Sequence, residues 1–205
     1  AYTLSLDSPE KMASAALLNA HRPLIKLKLG GEGDVERVAA VRKAAPKSRL
    51  IVDANEAWDD KMIEAFIPQM ADLGVELIEQ PLPAGKDASL SDIACPIPIC
   101  ADESCHDTAT LDHVARNYDF VNIKLDKTGG LTEALQMAEA AREFGLGIMV
   151  GCMLGTSLGM APAMLLGGLA RFVDLDGPLL LDKDRPNGIQ FDESVMHPST
   201  QALWG

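Results

Sequence analysis

The sequence predicts an α/β fold, a TIM-type (β/α)7β barrel, on three observations. Short β-rich runs alternate with helical stretches from end to end, there are eight such runs with seven helices between them, and the repeat is roughly 25 residues. Strict alternation implies parallel strands joined by right-handed crossovers. An open doubly wound sheet would also alternate, but no GxGxxG or GxxxxGK[ST] follows an early strand, and eight units favour the barrel.

The expected strands are Tyr2–Leu6, Leu24–Leu29, Leu50–Asp53, Val75–Glu79, Ile97–Ala101, Phe120–Leu125, Gly147–Gly151 and Phe172–Asp176. Ser8-Pro9-Glu10 opens the first helix, with a Ser N-cap and Pro in the first turn. Asp34 opens the second, where Val35, Val38, Ala39 and Val41 recur at helical spacing. The third covers Asp59 to Leu73 and stops at Gly74, a residue that tolerates the left-handed backbone of a helix end. A short fourth lies around Ser89–Ala94 and a fifth within Ala109–Asn117. The sixth runs from Leu131 to Phe144 and stops at Gly145, and the seventh, Ser157–Leu166, is apolar nearly all round. Residues 1–181 thus form the barrel, and 182–205 a polar tail, with no eighth helix, expected to pack on the barrel or on another domain.

Composition narrows the partners. The net charge is −12, which repels phosphate backbones and anionic lipid heads, so neither nucleic acid nor a membrane surface is an expected partner. Hydrophobic residues make up 47 %, ample for a core, yet no apolar run approaches the ~20 residues of a membrane span. No leader pattern is visible, and the chain opens on Ala1 already reading as a strand, so it is expected to be an excised or processed piece of a longer protein. Cys95, Cys100, Cys105 and Cys152 form no CxxC pair, and the four histidines fit no ligand spacing; the cysteines read as half-buried thiols of a reducing cytosol.

Polar residues recur at the C-terminal ends of the strands, where barrel enzymes place their chemistry. Lys26 and Lys28 end strand 2; Asp53 and Asn55, strand 3; Glu79, strand 4; Asp102 and Glu103, strand 5; Lys124, strand 6; Asp174 and Asp176, strand 8. Lys28, Asp53, Glu79, Asp102 and Lys124 are separated by 25, 26, 23 and 22 residues, one β/α unit each. Singly, each has an ordinary use: Lys-x-Lys as a solvated strand end, an Asp as a helix cap, Asp174-Leu175-Asp176 as a turn. Caps alone do not explain five in register. Three converging carboxylates need a cation between them, and oxygen-only ligands select Mg²⁺, with Mn²⁺ as the alternative, over zinc. On a ring of eight, Lys28 and Lys124 would face each other across the mouth, with strand 8 opposite the metal. That arrangement suits a substrate carboxylate on the metal, one lysine removing its α-proton, and the other returning a proton to the far face of the metal-stabilised enediolate. Lys26, on the same strand face as Lys28, would lower the pKa of that base, as would the cation. Asp174 and Asp176 would hold a cationic group such as an ammonium.

At these residues the sequence resembles the enolase superfamily, muconate-lactonizing subgroup. The matching segments are Ile25-Lys26-Leu27-Lys28, Val52-Asp53-Ala54-Asn55, Ile78-Glu79-Gln80-Pro81-Leu82, Ala101-Asp102-Glu103-Ser104 and Asn122 to Gly130. Within it, Asp174-Leu175-Asp176 is similar to the DxD of the L-Ala-D/L-Glu (dipeptide) epimerases, as are Gly151-Cys152-Met153-Leu154 and Thr3. The resemblance implies that Lys28 and Lys124 are acid/base residues of a 1,1-proton transfer and that Asp53, Glu79 and Asp102 ligate Mg²⁺. It implies substrate contacts from Lys26, Asp174, Asp176, Thr3, Cys152 and Leu154, supported by Asn55 and Glu103. It further implies an isomerase acting on a small dipeptide, cytoplasmic and homo-oligomeric. It also implies an N-terminal α+β capping domain, which this sequence lacks, so the barrel alone is expected to be weakly active or inactive. Within the superfamily a cycloisomerase or o-succinylbenzoate synthase shares the metal and lysines, but its substrates have no ammonium for the Asp pair. A Schiff-base aldolase on Lys28 or Lys124 and a non-catalytic barrel are the remaining alternatives.

Overall fold

The computed structural model describes residues 1–205. Eight strands stand in chain order in one sheet: β1 (Tyr2–Leu4), β2 (Leu24–Lys28), β3 (Arg49–Asp53), β4 (Val75–Glu79), β5 (Ile99–Ala101), β6 (Phe120–Ile123), β7 (Gly147–Val150) and β8 (Phe172–Val173). The pairings β1–β2, β2–β3, β3–β4, β4–β5, β6–β7 and β7–β8 are parallel. With helices between the strands, this is the TIM-type (β/α)7β fold read from the sequence. The chain divides into two compact units.

The first unit takes in residues 2–104 and 116–119. It holds β1–β5 and the helices α1 (Pro9–Leu18), α2 (Asp34–Ala44) and α3 (Asp60–Asp72). Ile25, Leu27, Leu50, Val52, Leu77 and Ile78 are fully buried, as alternation within strands covered on both faces requires. The caps follow the sequence: Ser8 accepts the amide of Lys11, Asp59 accepts that of Met62, and Gly74 adopts φ +70° beyond α3.

The start of α2 differs from expectation. Gly33, at φ +80°, is its N-cap, and the Asp34 carboxylate turns back instead of capping forward. It is wholly buried and accepts from the Gly30 and Gly31 amides, from Trp58 Nε1 at 2.7 Å and from Arg37 at 2.9 Å. One carboxylate thereby pins the loop that leaves Lys28 and ties it to the loop that leaves Asp53. Replacing it leaves several buried donors without an acceptor, each worth about 1–3 kcal/mol. Asp34→Ala should therefore lower the free energy of unfolding by about 3 kcal/mol or more, measured by urea denaturation; a loss below 1 kcal/mol would show that water replaces the carboxylate.

The second unit comprises residue 1, 105–115 and 120–205. It holds β6–β8, most of α4 (Leu111–Asn117), α5 (Leu125–Thr128), α6 (Leu131–Glu143), α7 (Ser157–Ala163) and an antiparallel hairpin of β9 (Phe191–Asp192) and β10 (Val195–Met196). Strands β6 and β8 end earlier than the sequence suggested. Lys124 is the N-cap of the one-turn helix α5, which Gly129 closes at φ +75°. Asp174 and Asp176 lie beyond β8, and a 3-10 turn over Gly177–Leu180 stands where an eighth helix would begin. Within the tail, Asp184 accepts the amide of Ser157 at 3.0 Å and its hydroxyl, and the amide of Ile189 donates to that same hydroxyl at 2.8 Å. The tail is thus fastened to the start of α7. None of the four cysteines is in a disulfide; Cys100 and Cys105 are fully buried and Cys95 and Cys152 partly so, which corrects the uniform half-burial expected. No helix is long and apolar enough to cross a membrane.

Candidate active site

In the first unit, strand register brings the charged residues together. Lys28 pairs with Asp53 across β2–β3, and Asp53 pairs with Glu79 across β3–β4. The 25- and 26-residue spacings are therefore ladder steps. Asp102 is placed differently: Glu79 pairs with Cys100, and Asp102 lies past the last residue of β5. Even so, one carboxylate oxygen from each of Asp53, Glu79 and Asp102 falls within 4.8 Å of the others. The three are 0, 1 and 3 % exposed.

Both lysines of β2 reach this cluster, since residues two apart share a strand face. Lys26 Nζ lies 3.1 Å from Asp53 Oδ2 and 2.7 Å from Glu79 Oε2, and Lys28 Nζ lies 2.6 Å from Asp53 Oδ2. Their environments differ. The Lys26 side chain is buried, whereas that of Lys28 is 34 % exposed and open to a molecule arriving from solvent. Asp53 Oδ1 also accepts the Asn55 amide at 3.1 Å, and Asn55 and Glu56 adopt positive φ, turning the chain sharply off β3.

Glu103 adds a fourth carboxyl. Burial first, then the charges of Asp102 and Asp53, push it above the usual carboxylate range, against a hydrogen bond with Asn55. The two lysines of β2 and these carboxyls thus share one buried cluster, where a divalent cation would add positive charge. Three buried, convergent, oxygen-only ligands fit a hard divalent ion. Sequence reasoning missed one feature of this region. Gln80 is fully buried at φ +36°, and the signal was available in its position immediately after Glu79.

In the second unit, Lys124 is buried at the end of β6, and Lys127 Nζ donates to the Asn122 carbonyl at 2.9 Å beside it. Asp174 and Asp176 are both buried; the Asp174 amide donates to Val150 at 2.8 Å, and the Asp176 carbonyl accepts from Leu179 at 2.8 Å. The loop after β7 lies against them. A Cβ at Gly177 would meet the carbonyl oxygens of Met153 and Gly155 at 3.2 Å, a tight contact, so the chain leaving Asp176 runs close to that loop. Within the loop Cys152 is partly buried and Leu154 is 67 % exposed. Thr3, in the first unit, is partly buried opposite Lys26 in the β1–β2 ladder.

Comparison with known proteins gives four results of one kind. The pattern of the enolase C-terminal domain-like family matches residues 11–199. An N-acetyl-D-glutamate racemase of Pseudoalteromonas is 49 % identical over 205 residues, all of this chain and 65 % of that protein. The L-Ala-D/L-Glu epimerase of Escherichia coli K12 is 46 % identical over 199 residues, 96 % of this chain and 62 % of that one. Among solved structures, an enolase family member from Agrobacterium tumefaciens with homology to dipeptide epimerases, holding sodium and L-Ala-L-Glu, superposes with a TM-score of 0.98 at 55 % identity, over 100 % of this chain and 63 % of that one. The chain spans less than two thirds of the length of each of these relatives.

Proposed function

The chain belongs to the enolase C-terminal domain-like family, and on that footing we propose that it carries the catalytic residues of a divalent-metal-dependent dipeptide epimerase of the L-Ala-D/L-Glu type. The observation that carries this reading is the buried Asp53–Glu79–Asp102 cluster with Lys28 at its open side. Asp53, Glu79 and Asp102 would hold Mg²⁺, or Mn²⁺ in its place. Bound there, the ion supplies positive charge to a substrate carboxylate and so acidifies its α-proton.

The protein groups do the rest. Lys28 Nζ, as the free amine, takes the α-proton from one face and becomes an ammonium. Lys124, as the ammonium, gives a proton to the opposite face and becomes the amine. The α-carbon is thereby inverted, and both lysines reset by exchange with water. Lys26 contributes fixed positive charge beside Asp53 and Glu79 and a contact to the substrate carboxylate. Asn55 and Glu103 support the carboxylates. Asp174 and Asp176 take the substrate's ammonium, and Thr3, Cys152 and Leu154 line the pocket. Residues 1–181 form the barrel in this reading and 182–205 its tail. Four thiols outside any disulfide suit a reducing compartment, and we assign the protein to the cytoplasm. We take the working form to be a homo-oligomer completed by a capping domain.

A second reading has a specific observation in its favour. The 49 % identity to an N-acetyl-D-glutamate racemase points to the same α-proton chemistry on an N-acylated amino acid, which has no ammonium. The pair Asp174 and Asp176, two buried carboxylates on one short segment, supports the free amine. Asp174→Asn decides between them. On the dipeptide reading it raises KM about tenfold or more for L-Ala-L-Glu and changes little for its N-acetyl derivative, the size of loss expected for a charge-assisted hydrogen bond. Equal losses on both substrates would remove the ammonium role and favour the racemase.

A further inference from the structure

We propose that Gln80 is a positioning residue for the metal centre, its side-chain amide fixing the backbone of Asp102 and with it the third carboxylate. This rests on the reading of Asp53, Glu79 and Asp102 as ligands of a divalent ion.

Asp53 and Glu79 are held by the ladders of β3 and β4, but Asp102 lies beyond the end of β5, where strand pairing no longer fixes it. Gln80 supplies a restraint there. It is the first residue past β4, and its left-handed backbone turns the side chain toward the chain leaving β5. Its Oε1 accepts the amide of Asp102 at 2.8 Å and that of Ser104 at 3.1 Å. Its main chain joins the other two carboxylate-bearing segments. The Gln80 amide donates to Cys100 and its carbonyl accepts from Glu56, both at 2.9 Å.

The side-chain amide can be oriented in only one sense. Oε1 faces two backbone N–H groups, which only donate, and Nε2 faces the Leu82 carbonyl at 2.8 Å, which only accepts. Nε2 also points to Ser104 Oγ at 2.8 Å and Tyr118 Oη at 3.0 Å. Both hydroxyls lie against the buried carboxylate of Asp87, at 2.5 and 2.6 Å from Oδ2. Asp87 draws the two hydroxyl hydrogens to itself and leaves their lone pairs for Nε2. The polarity therefore runs unbroken from Asp87 through the hydroxyls and Gln80 to the Asp102 amide. A left-handed non-glycine backbone is strained and persists where its surroundings over-determine it. Partners of this kind, one step behind the ligands, typically govern metal affinity by about 10–100-fold.

The test is Mn²⁺ binding by the 205-residue chain, followed through the loss of the free-ion electron paramagnetic resonance signal at a temperature where circular dichroism shows the chain folded. Gln80→Leu is expected to weaken Mn²⁺ binding about tenfold or more. Tyr118→Phe, which removes one acceptor of Nε2 and keeps the ring, is expected to weaken it by a smaller factor. A purely structural role would lower the unfolding temperature and leave the affinity of the folded chain unchanged. Wild-type binding with unaltered affinity in Gln80→Leu overturns the positioning role and leaves the metal site standing. Failure of the wild type to bind Mn²⁺ overturns both. If Gln80→Leu does not fold, Tyr118→Phe decides: unaltered affinity overturns the proposal and weakened affinity supports it.

Discussion

Lys28→Ala and Lys124→Ala should each reduce epimerisation of L-Ala-L-Glu by about 10³-fold or more, a barrier increase of about 4 kcal/mol. The reason is that inversion needs two groups on opposite faces of one carbon, and removing either leaves no donor for the far side. The two variants should not be equally inert in every respect. With Lys28 gone, Lys124 can still remove and return the α-proton of whichever epimer presents it to that face. Each variant is then expected to exchange the α-proton of one epimer with solvent and to leave the other untouched. Lys28→Arg should behave as Lys28→Ala, because a guanidinium does not give up its proton at neutral pH. Chiral chromatography measures inversion and proton NMR in deuterated water measures exchange. Inversion surviving in both alanine variants would defeat the two-base scheme.

The next largest effect is expected at Glu79. The buried carboxylates of Asp53, Glu79 and Asp102 converge as ligands of a divalent ion would, so the folded chain should be stabilised by one. At a concentration of Mg²⁺ 100 times its Kd, linkage gives about 2.7 kcal/mol. For a chain of this size that is a rise of roughly 5–10 °C in unfolding temperature over the EDTA-treated protein. Glu79→Gln keeps the side-chain shape and removes one negative charge. Its metal-free unfolding temperature should stay near that of the wild type, since the change also relieves repulsion, while the rise with Mg²⁺ disappears. Differential scanning calorimetry with and without EDTA measures both. A Mg²⁺-induced rise of the same size in Glu79→Gln would exclude that carboxylate from the site.

What could be read in advance from the sequence was whatever obeys the β/α repeat. Lys28, Asp53 and Glu79 are ladder partners, so their even spacing along the chain was their juxtaposition in space. The caps of α1 and α3 were legible for a related reason, since a cap is a contact between residues three apart. The interactions that escaped are long-range and polar. Asp34 reads as a helix opener, and only the fold brings Trp58 to it. Gln80 reads as a strand end, and its side-chain partners other than Leu82 lie 22 to 38 residues further along. The single turn of α5 has too few residues to show a period, so Lys124 looked like part of β6. Asp102 falls beside Asp53 and Glu79 although the ladder does not hold it, and its distance of 23 residues from Glu79 still approximates one unit.

One elementary event, the removal and return of a proton at the α-carbon, is shared by the epimerase and the racemase and is missing from an aldolase and from a non-catalytic barrel. An aldolase would form an imine on lysine, which borohydride traps, and a non-catalytic barrel would leave the substrate unchanged. The most direct test is to incubate L-Ala-L-Glu with the protein and Mg²⁺ in deuterated water, at protein concentrations near that of the substrate so that slow exchange is still read, and to follow the α-proton resonances. The account predicts deuterium at one α-carbon, appearing with the epimer, lost on chelation with EDTA and lost when Asp53 is replaced by Asn. No label at either α-carbon in the presence of Mg²⁺, or label that persists unchanged in EDTA, would contradict it.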